Sequence, residues 1–149
     1  MNGDSWIKPS GFHFFDLIDS SVIFVECPGK TFVIQTEPGI GERLRDAQEM
    51  KRGDRPKTHE LLADVCAALG AKISGVAFTD VRGGVYYTVV SLEMENELGK
   101  KIVEIDARPS DALALAFAGR APVLVSKKML SHCVDAAPLL KKLKTDLPA

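Results

Sequence analysis

Apolar positions along the chain gather into short runs separated by turn residues. Runs 22–26 and 31–35 are β-rich and flank Cys27-Pro28-Gly29-Lys30, so they predict a hairpin. Runs 72–78 and 85–93 flank Asp80-Val81-Arg82-Gly83-Gly84 and predict a second one. Leu61, Leu62, Val65, Cys66 and Leu69 recur at helical spacing, which predicts a helix over 58–69 with one apolar stripe, stopped by Gly70. Glu60 and Asp64 fall on the opposite face of that helix. The densest apolar region is 102–125. A β-rich run at 102–105 leads into Asp106, Pro109 ends the strand, and Ser110 is a good helix cap. Residues 112–118 are all apolar, which predicts a short helix covered on every side. Gly119 then offers a stop, and Pro122 opens a further strand over 123–125. The region reads as a buried strand–helix–strand whose single polar bend carries Asp106, Arg108 and Asp111.

The remaining segments are plainer. Residues 42–50 predict a charged surface helix, and 127–133 and 137–143 predict two short helices, with Pro138 near the start of the second. Residues 1–20 read as an irregular N-terminal arm that packs Trp6, Phe12, Phe14 and Phe15 on the domain. Helices alternate irregularly with hairpins, so the fold class is α+β: a single domain with a mixed or antiparallel β-sheet and packed helices. The division is an arm at 1–20, a domain at 21–133, and a C-terminal helix and tail at 134–149. A chain of 149 residues suffices for one such core.

Charge narrows the chemistry. The net charge is −1, so the field of the whole molecule does not attract nucleic acid, and any polyanion must be held by a local patch or a metal ion. The most basic stretch is Lys51-Arg52-Gly53-Asp54-Arg55-Pro56-Lys57, which reads either as a solvated linker between helices or as a phosphate-contacting loop. No apolar run approaches the roughly 20 residues needed to span a bilayer, and residues 1–6 lack the pattern of a secretion signal. Cys27, Cys66 and Cys133 are odd in number and far apart, which suggests neither a disulfide framework nor a zinc site. Cys66 reads as a core residue, and a reduced, cytoplasmic protein is the expectation.

Two clusters carry candidate chemistry. At the bend, one reading has Arg108 pairing with a carboxylate and Asp111 stabilising a helix start. The other has Asp106 and Asp111 coordinating Mg²⁺ or Mn²⁺, hard ions that take oxygen ligands, with Arg108 on a phosphate oxygen. The second cluster is His59 and Glu60 at the start of the 58–69 helix, where imidazole can carry a proton in phosphodiester cleavage. Arg55-Pro56-Lys57-Thr58 and Arg108-Pro109-Ser110 both place Arg-Pro before a hydroxyl residue at a helix start. Brought side by side, the two helix N-termini form an anion-attracting pocket.

The run from Glu104 through Asp106-Ala107-Arg108-Pro109-Ser110-Asp111 to Ala116, with Ala121-Pro122-Val123-Leu124-Val125-Ser126 after it, resembles the signature of the bifunctional nuclease (BFN, DUF151) family. Arg55-Pro56-Lys57-Thr58-His59-Glu60-Leu61-Leu62 is similar to a second motif of that family. The resemblance covers roughly residues 20–130. It implies RNase and DNase activity on nucleic acid, with His59, Asp106 and Asp111 as catalytic residues and Arg55, Lys57, Thr58, Arg108 and Ser110 on the substrate. It also implies Asp106 and Asp111 as ligands of any metal, and it is compatible with a homodimer. Residues 37–45 are more charged than the family pattern, and Lys127-Lys128 stands where acidic residues are common. The alternative is a binding or regulatory module without enzymatic activity, in which the acidic bend only determines the fold.

Overall fold

A computed structural model describes residues 5–146; residues 1–4 and 147–149, the ends of the expected arm and tail, lie outside it. In chain order the elements are β1 (Trp6–Ile7), β2 (Gly11–Asp16), β3 (Ser21–Cys27), β4 (Lys30–Thr36), α1 (Ile40–Gln48), α2 (Thr58–Ala68), β5 (Ala71–Arg82), β6 (Val85–Asn96), β7 (Gly99–Ala107), α3 (Pro109–Ala118), β8 (Val123–Ser126), α4 (Lys127–Ser131) and α5 (Ala137–Asp146). The fold is α+β, as expected. A five-stranded sheet has the order β1-β8-β5-β6-β7, with β5 and β8 parallel and its other neighbours antiparallel. A smaller antiparallel sheet has the order β2-β3-β4.

The two sheets and α3 share one core. Phe32 on β4 meets Phe78 edge-on at 5.4 Å and stacks on Tyr86 at 5.2 Å, which joins the small sheet to the large one. Phe117 on α3 meets Phe12 and Phe14 of β2 edge-on. The all-apolar helix is buried as its composition demands, with Ala112, Leu113, Ala114, Leu115 and Ala116 all inside. The outer face of β3 is covered separately, where Leu140 of α5 packs on Phe24. No helix among the described residues is long and apolar enough to cross a membrane.

Four expectations are corrected. Residues 6–7 and 11–16 are strands rather than irregular chain, and β2 pairs with β3 over its whole length. The run 102–105 belongs to an edge strand, β7, and leaves Ile102 and Ile105 exposed, because β7 is last in its sheet. Ser110 does not cap α3; Arg108 is the cap residue in extended conformation, Pro109 takes the first helical position, and Ser110 is buried behind it. The stripe of α2 does not face the core either: Leu61, Leu62, Val65 and Leu69 are exposed, Cys66 is half-buried, and the buried residue is Glu60. Glu60 turns inward because its Oε2 accepts the Lys57 backbone N–H at 3.2 Å and closes the first turn.

A close approach fixes α1. Ser21 Oγ donates to Asp16 Oδ1 at 2.7 Å and accepts the Gly41 N–H at 3.1 Å. A Cβ on Gly41 would lie 2.7 Å from Asp16 Oδ1, so only glycine lets the helix come this near the β2–β3 turn.

Candidate functional site

The bend after β7 is built from backbone constraints. Thr88 Oγ1 donates to the Ala107 carbonyl, which holds the end of the strand against β6. The Pro109 ring favours extended backbone at Arg108, and the helix starts at once, with Ala112 N–H donating to Arg108 O at 2.9 Å. The Arg108 guanidinium then donates through Nε to Asp111 Oδ2 at 2.9 Å and through Nη1 to Glu37 Oε1 at 3.3 Å. It thereby ties the start of α3 to the segment that leads into α1. It stays 68% exposed, so its remaining N–H groups face solvent.

The second motif folds against the first. Leu61 N–H donates to Lys57 O at 2.8 Å, and the buried Glu60 carboxylate completes the start of α2. The His59 side chain is 15% exposed, with Nε2 3.9 Å from Glu60 Oε1. Burial pushes its pKa below 6.5, and the nearby cations Lys57, Arg52 and Arg43 act in the same direction, against an upward pull from Glu60. His59 is therefore neutral at pH 7 and able to accept a proton.

The starts of α2 and α3 open into one cleft of about 620 Å³. Its polar lining includes Thr58, His59, Asp106, Arg108, Ser110 and Asp111, so six of the eight site residues expected from the sequence meet there. Arg55 and Lys57 are not in the lining; Lys57 Nζ lies 3.7 Å from Asp46 Oδ2 instead. Arg43 of α1 lines the cleft and has no place in the sequence reading, because 42–50 reads as an ordinary charged surface helix.

Asp106 and Asp111 are not equivalent. Asp111 is engaged by Arg108. Asp106 is opposite Val89, whereas its neighbour Ile105 is opposite the buried Val90. Strand alternation therefore directs Asp106 to the other side of the sheet from Ile105. It stands at the rim, where the cleft adjoins a second hollow of about 500 Å³ lined by Gln35, Glu37, Tyr86, Tyr87 and Arg108. Among the described residues no group of three or more His, Cys, Asp or Glu side chains comes together to hold a metal. Two hard carboxylates still suit Mg²⁺ or Mn²⁺, provided that water and a substrate phosphate complete the coordination shell.

Two uncharacterized proteins from different strains of Mycobacterium tuberculosis are each 31% identical to the chain over 78 residues, 52% of this chain and 43% of the relative. The match thus spans less than half of either relative's length. A family model described as the bifunctional nuclease domain matches residues 29–136, which include both Arg-Pro motifs, the cleft between them and the strand edge beside it. The chain belongs to the bifunctional nuclease domain family.

Proposed function

We propose that the protein cleaves phosphodiester bonds of RNA or DNA in the cleft between the starts of α2 and α3. The observation that carries this reading is the sharing of one cleft by a neutral, mostly buried imidazole and an exposed guanidinium. Arg108 binds a non-bridging phosphate oxygen and stabilises the charge that grows there during attack. Arg43 and the first-turn N–H groups of α2 and α3 add to the anion-attracting field, which answers the net charge of −1 with a local patch. Thr58 and Ser110 supply hydroxyls beside the same phosphate. Arg55 and Lys57, outside the lining, contact phosphates further along the strand.

His59 acts as general base. Its free ring nitrogen takes a proton from the attacking water, the water oxygen bonds to phosphorus, and the bond from phosphorus to the leaving oxygen breaks. The leaving oxygen then takes a proton from solvent. Asp106 and Asp111 are the side chains that would hold Mg²⁺ or Mn²⁺, and such an ion supplies Lewis-acid polarisation of the phosphoryl oxygen.

Cleavage of end-labelled RNA and DNA by the purified protein, with Mg²⁺, Mn²⁺ or chelator, tests the reading. Activity that disappears in His59→Ala and in Asp106→Asn with Asp111→Asn supports it. Activity that survives all three substitutions points to another site. One observation favours a second reading: the Arg108–Asp111–Glu37 ion pairs are what a purely structural bend needs. A binding module predicts lower stability in Asp111→Asn, no cleavage, and a melting temperature that Mn²⁺ does not raise.

A further inference from the structure

The exposed stripe of α2 and the free edge of β7 form one surface. Leu62 and Cys66 of α2 share the cleft with Ile105 of β7, so the apolar flank of the helix faces the edge of the sheet. Leu61, Leu62, Val65, Leu69 and Ile105 are between 44% and 69% exposed there. Five large aliphatic side chains grouped in this way exceed the scatter of single apolar residues normal on a monomer. Beyond them, β7 offers nine residues of backbone with no strand on its outer side among the described residues.

The charges along β7 indicate what covers it. Lys100 and Lys101 stand at one end, Glu104 and Asp106 at the other. We propose that β7 pairs antiparallel with β7 of a second copy of this chain, about a two-fold axis through Val103 perpendicular to the sheet. Such an axis keeps each residue on its own face, so only residues an even number apart can be opposite one another. Centred on Val103, the full nine-residue strand pairs. Lys100 is then opposite Asp106 twice, and Lys101 opposite Ile105 twice. Each basic end meets an acidic one, as a self-complementary two-fold contact requires.

The same axis brings the two α2 helices together on one face of a continuous ten-stranded sheet, where their apolar flanks cover each other. Lysines on an edge strand usually keep other strands away. Here the carboxylates at the far end of the same strand cancel that repulsion for one orientation of one partner, the chain itself. The contact borders the cleft and shares Asp106 with the proposed function, but its test reads association and needs no cleavage activity.

Sedimentation of the whole chain tests this interface. The expected result is a species of twice 16.2 kDa that dissociates on dilution. Lys100→Glu should weaken it about tenfold or more by setting like charges opposite each other. Adding Asp106→Lys should restore the dimer by exchanging the signs. Lys100 also lies 2.9 Å from Glu93 in its own chain, so Leu69→Lys on the separate helix serves as a second disruption that leaves the strand intact. In hydrogen exchange, the outward amides of β7 should be protected in the wild type and exposed in Leu69→Lys. A wild type that remains monomeric at every soluble concentration overturns the proposal. So does a dimer that both Lys100→Glu and Leu69→Lys leave unchanged.

Discussion

α2 and α3 begin alike and end differently. Each follows an Arg-Pro pair, and each delivers its first turn to the same cleft. α3 is then swallowed by the core, with Ala112, Leu113 and Ala116 at 0% exposure. α2 rests on the surface and buries Glu60 alone. One helix is a fixed post whose position is set by packing, and its cap residue Arg108 inherits that rigidity. The other is held mainly at its start, through Glu60, His59 and Ala63. The site proposed between them would combine a rigid anion contact with a proton-accepting group on an element of small packing energy. Stability and activity should therefore depend on different residues of two helices that look like copies of one pattern.

The largest effect is expected at His59. Replacing it with Ala should lower the cleavage rate by about 10²–10⁴-fold, the usual contribution of a general base, while the denaturation midpoint hardly moves. The pH profile sharpens this. A base must be unprotonated to act, and His59 is held below 6.5 by burial and neighbouring cations. Cleavage should rise with pH through a midpoint below 6.5 and then level off, and rate measurements from pH 4.5 to 8 check it. The same lowered value also means that the unfolded chain binds the proton more readily. Stability is thus fully present above about pH 6.5 and falls on acidification through that window, other groups apart.

Leu113→Ala is the converse. Leu113 is fully buried in α3. Truncation should cost about 2–5 kcal/mol in chemical denaturation through lost burial and an unfilled cavity. Protein that remains folded should keep the slope of its pH profile, because no group in the cleft has changed. A variant that kept its stability would show that α3 is less essential to the core than its burial indicates.

The difference between these helices marks where sequence reading stops. α3 was legible because seven consecutive apolar residues leave no polar side to expose, so composition alone fixes its burial. The stripe on α2 was equally visible, but periodicity shows that a face is apolar and not what covers it. Glu60 looked like a solvent-facing carboxylate; its inward turn depends on reaching the Lys57 N–H three residues back, with a lysine where a Ser or Thr cap would have advertised the geometry. β7 read as buried because Ile102, Val103 and Ile105 are β-rich, whereas edge position depends on pairing order, a long-range property. β2 was missed because Phe12-His13-Phe14-Phe15 does not alternate cleanly and follows Pro9 and Gly11. Within the cleft, the paired Arg-Pro starts were readable as local chemistry, and Arg43 was not, since it reaches the cleft only through the packing of α1 on α3.

A smaller effect belongs to the start of α2. Glu60→Ala removes the acceptor of the Lys57 N–H and should cost about 0.5–2 kcal/mol, the usual range for a lost helix cap. It also removes the carboxylate 3.9 Å from His59 that favours its protonated form. The midpoint of the pH–rate profile should therefore move further down. A change in stability without a change in midpoint would show that Glu60 acts on the helix alone.

The smallest effect is expected on the outer face of α2, and its size depends on concentration. Leu61 is 53% exposed in the single chain, so Leu61→Ser transfers little additional surface to water on folding and should change monomer stability by less than about 0.5 kcal/mol. That value holds in dilute solution. If the stripe is covered by a second copy, stability measured at high protein concentration contains the free energy of association, and Leu61→Ser loses part of it. Melting curves of wild type and variant should then coincide at low concentration and separate as it rises. Curves that coincide at every concentration would leave α2 as a helix whose apolar face simply meets water, and the contrast with α3 would be one of burial alone.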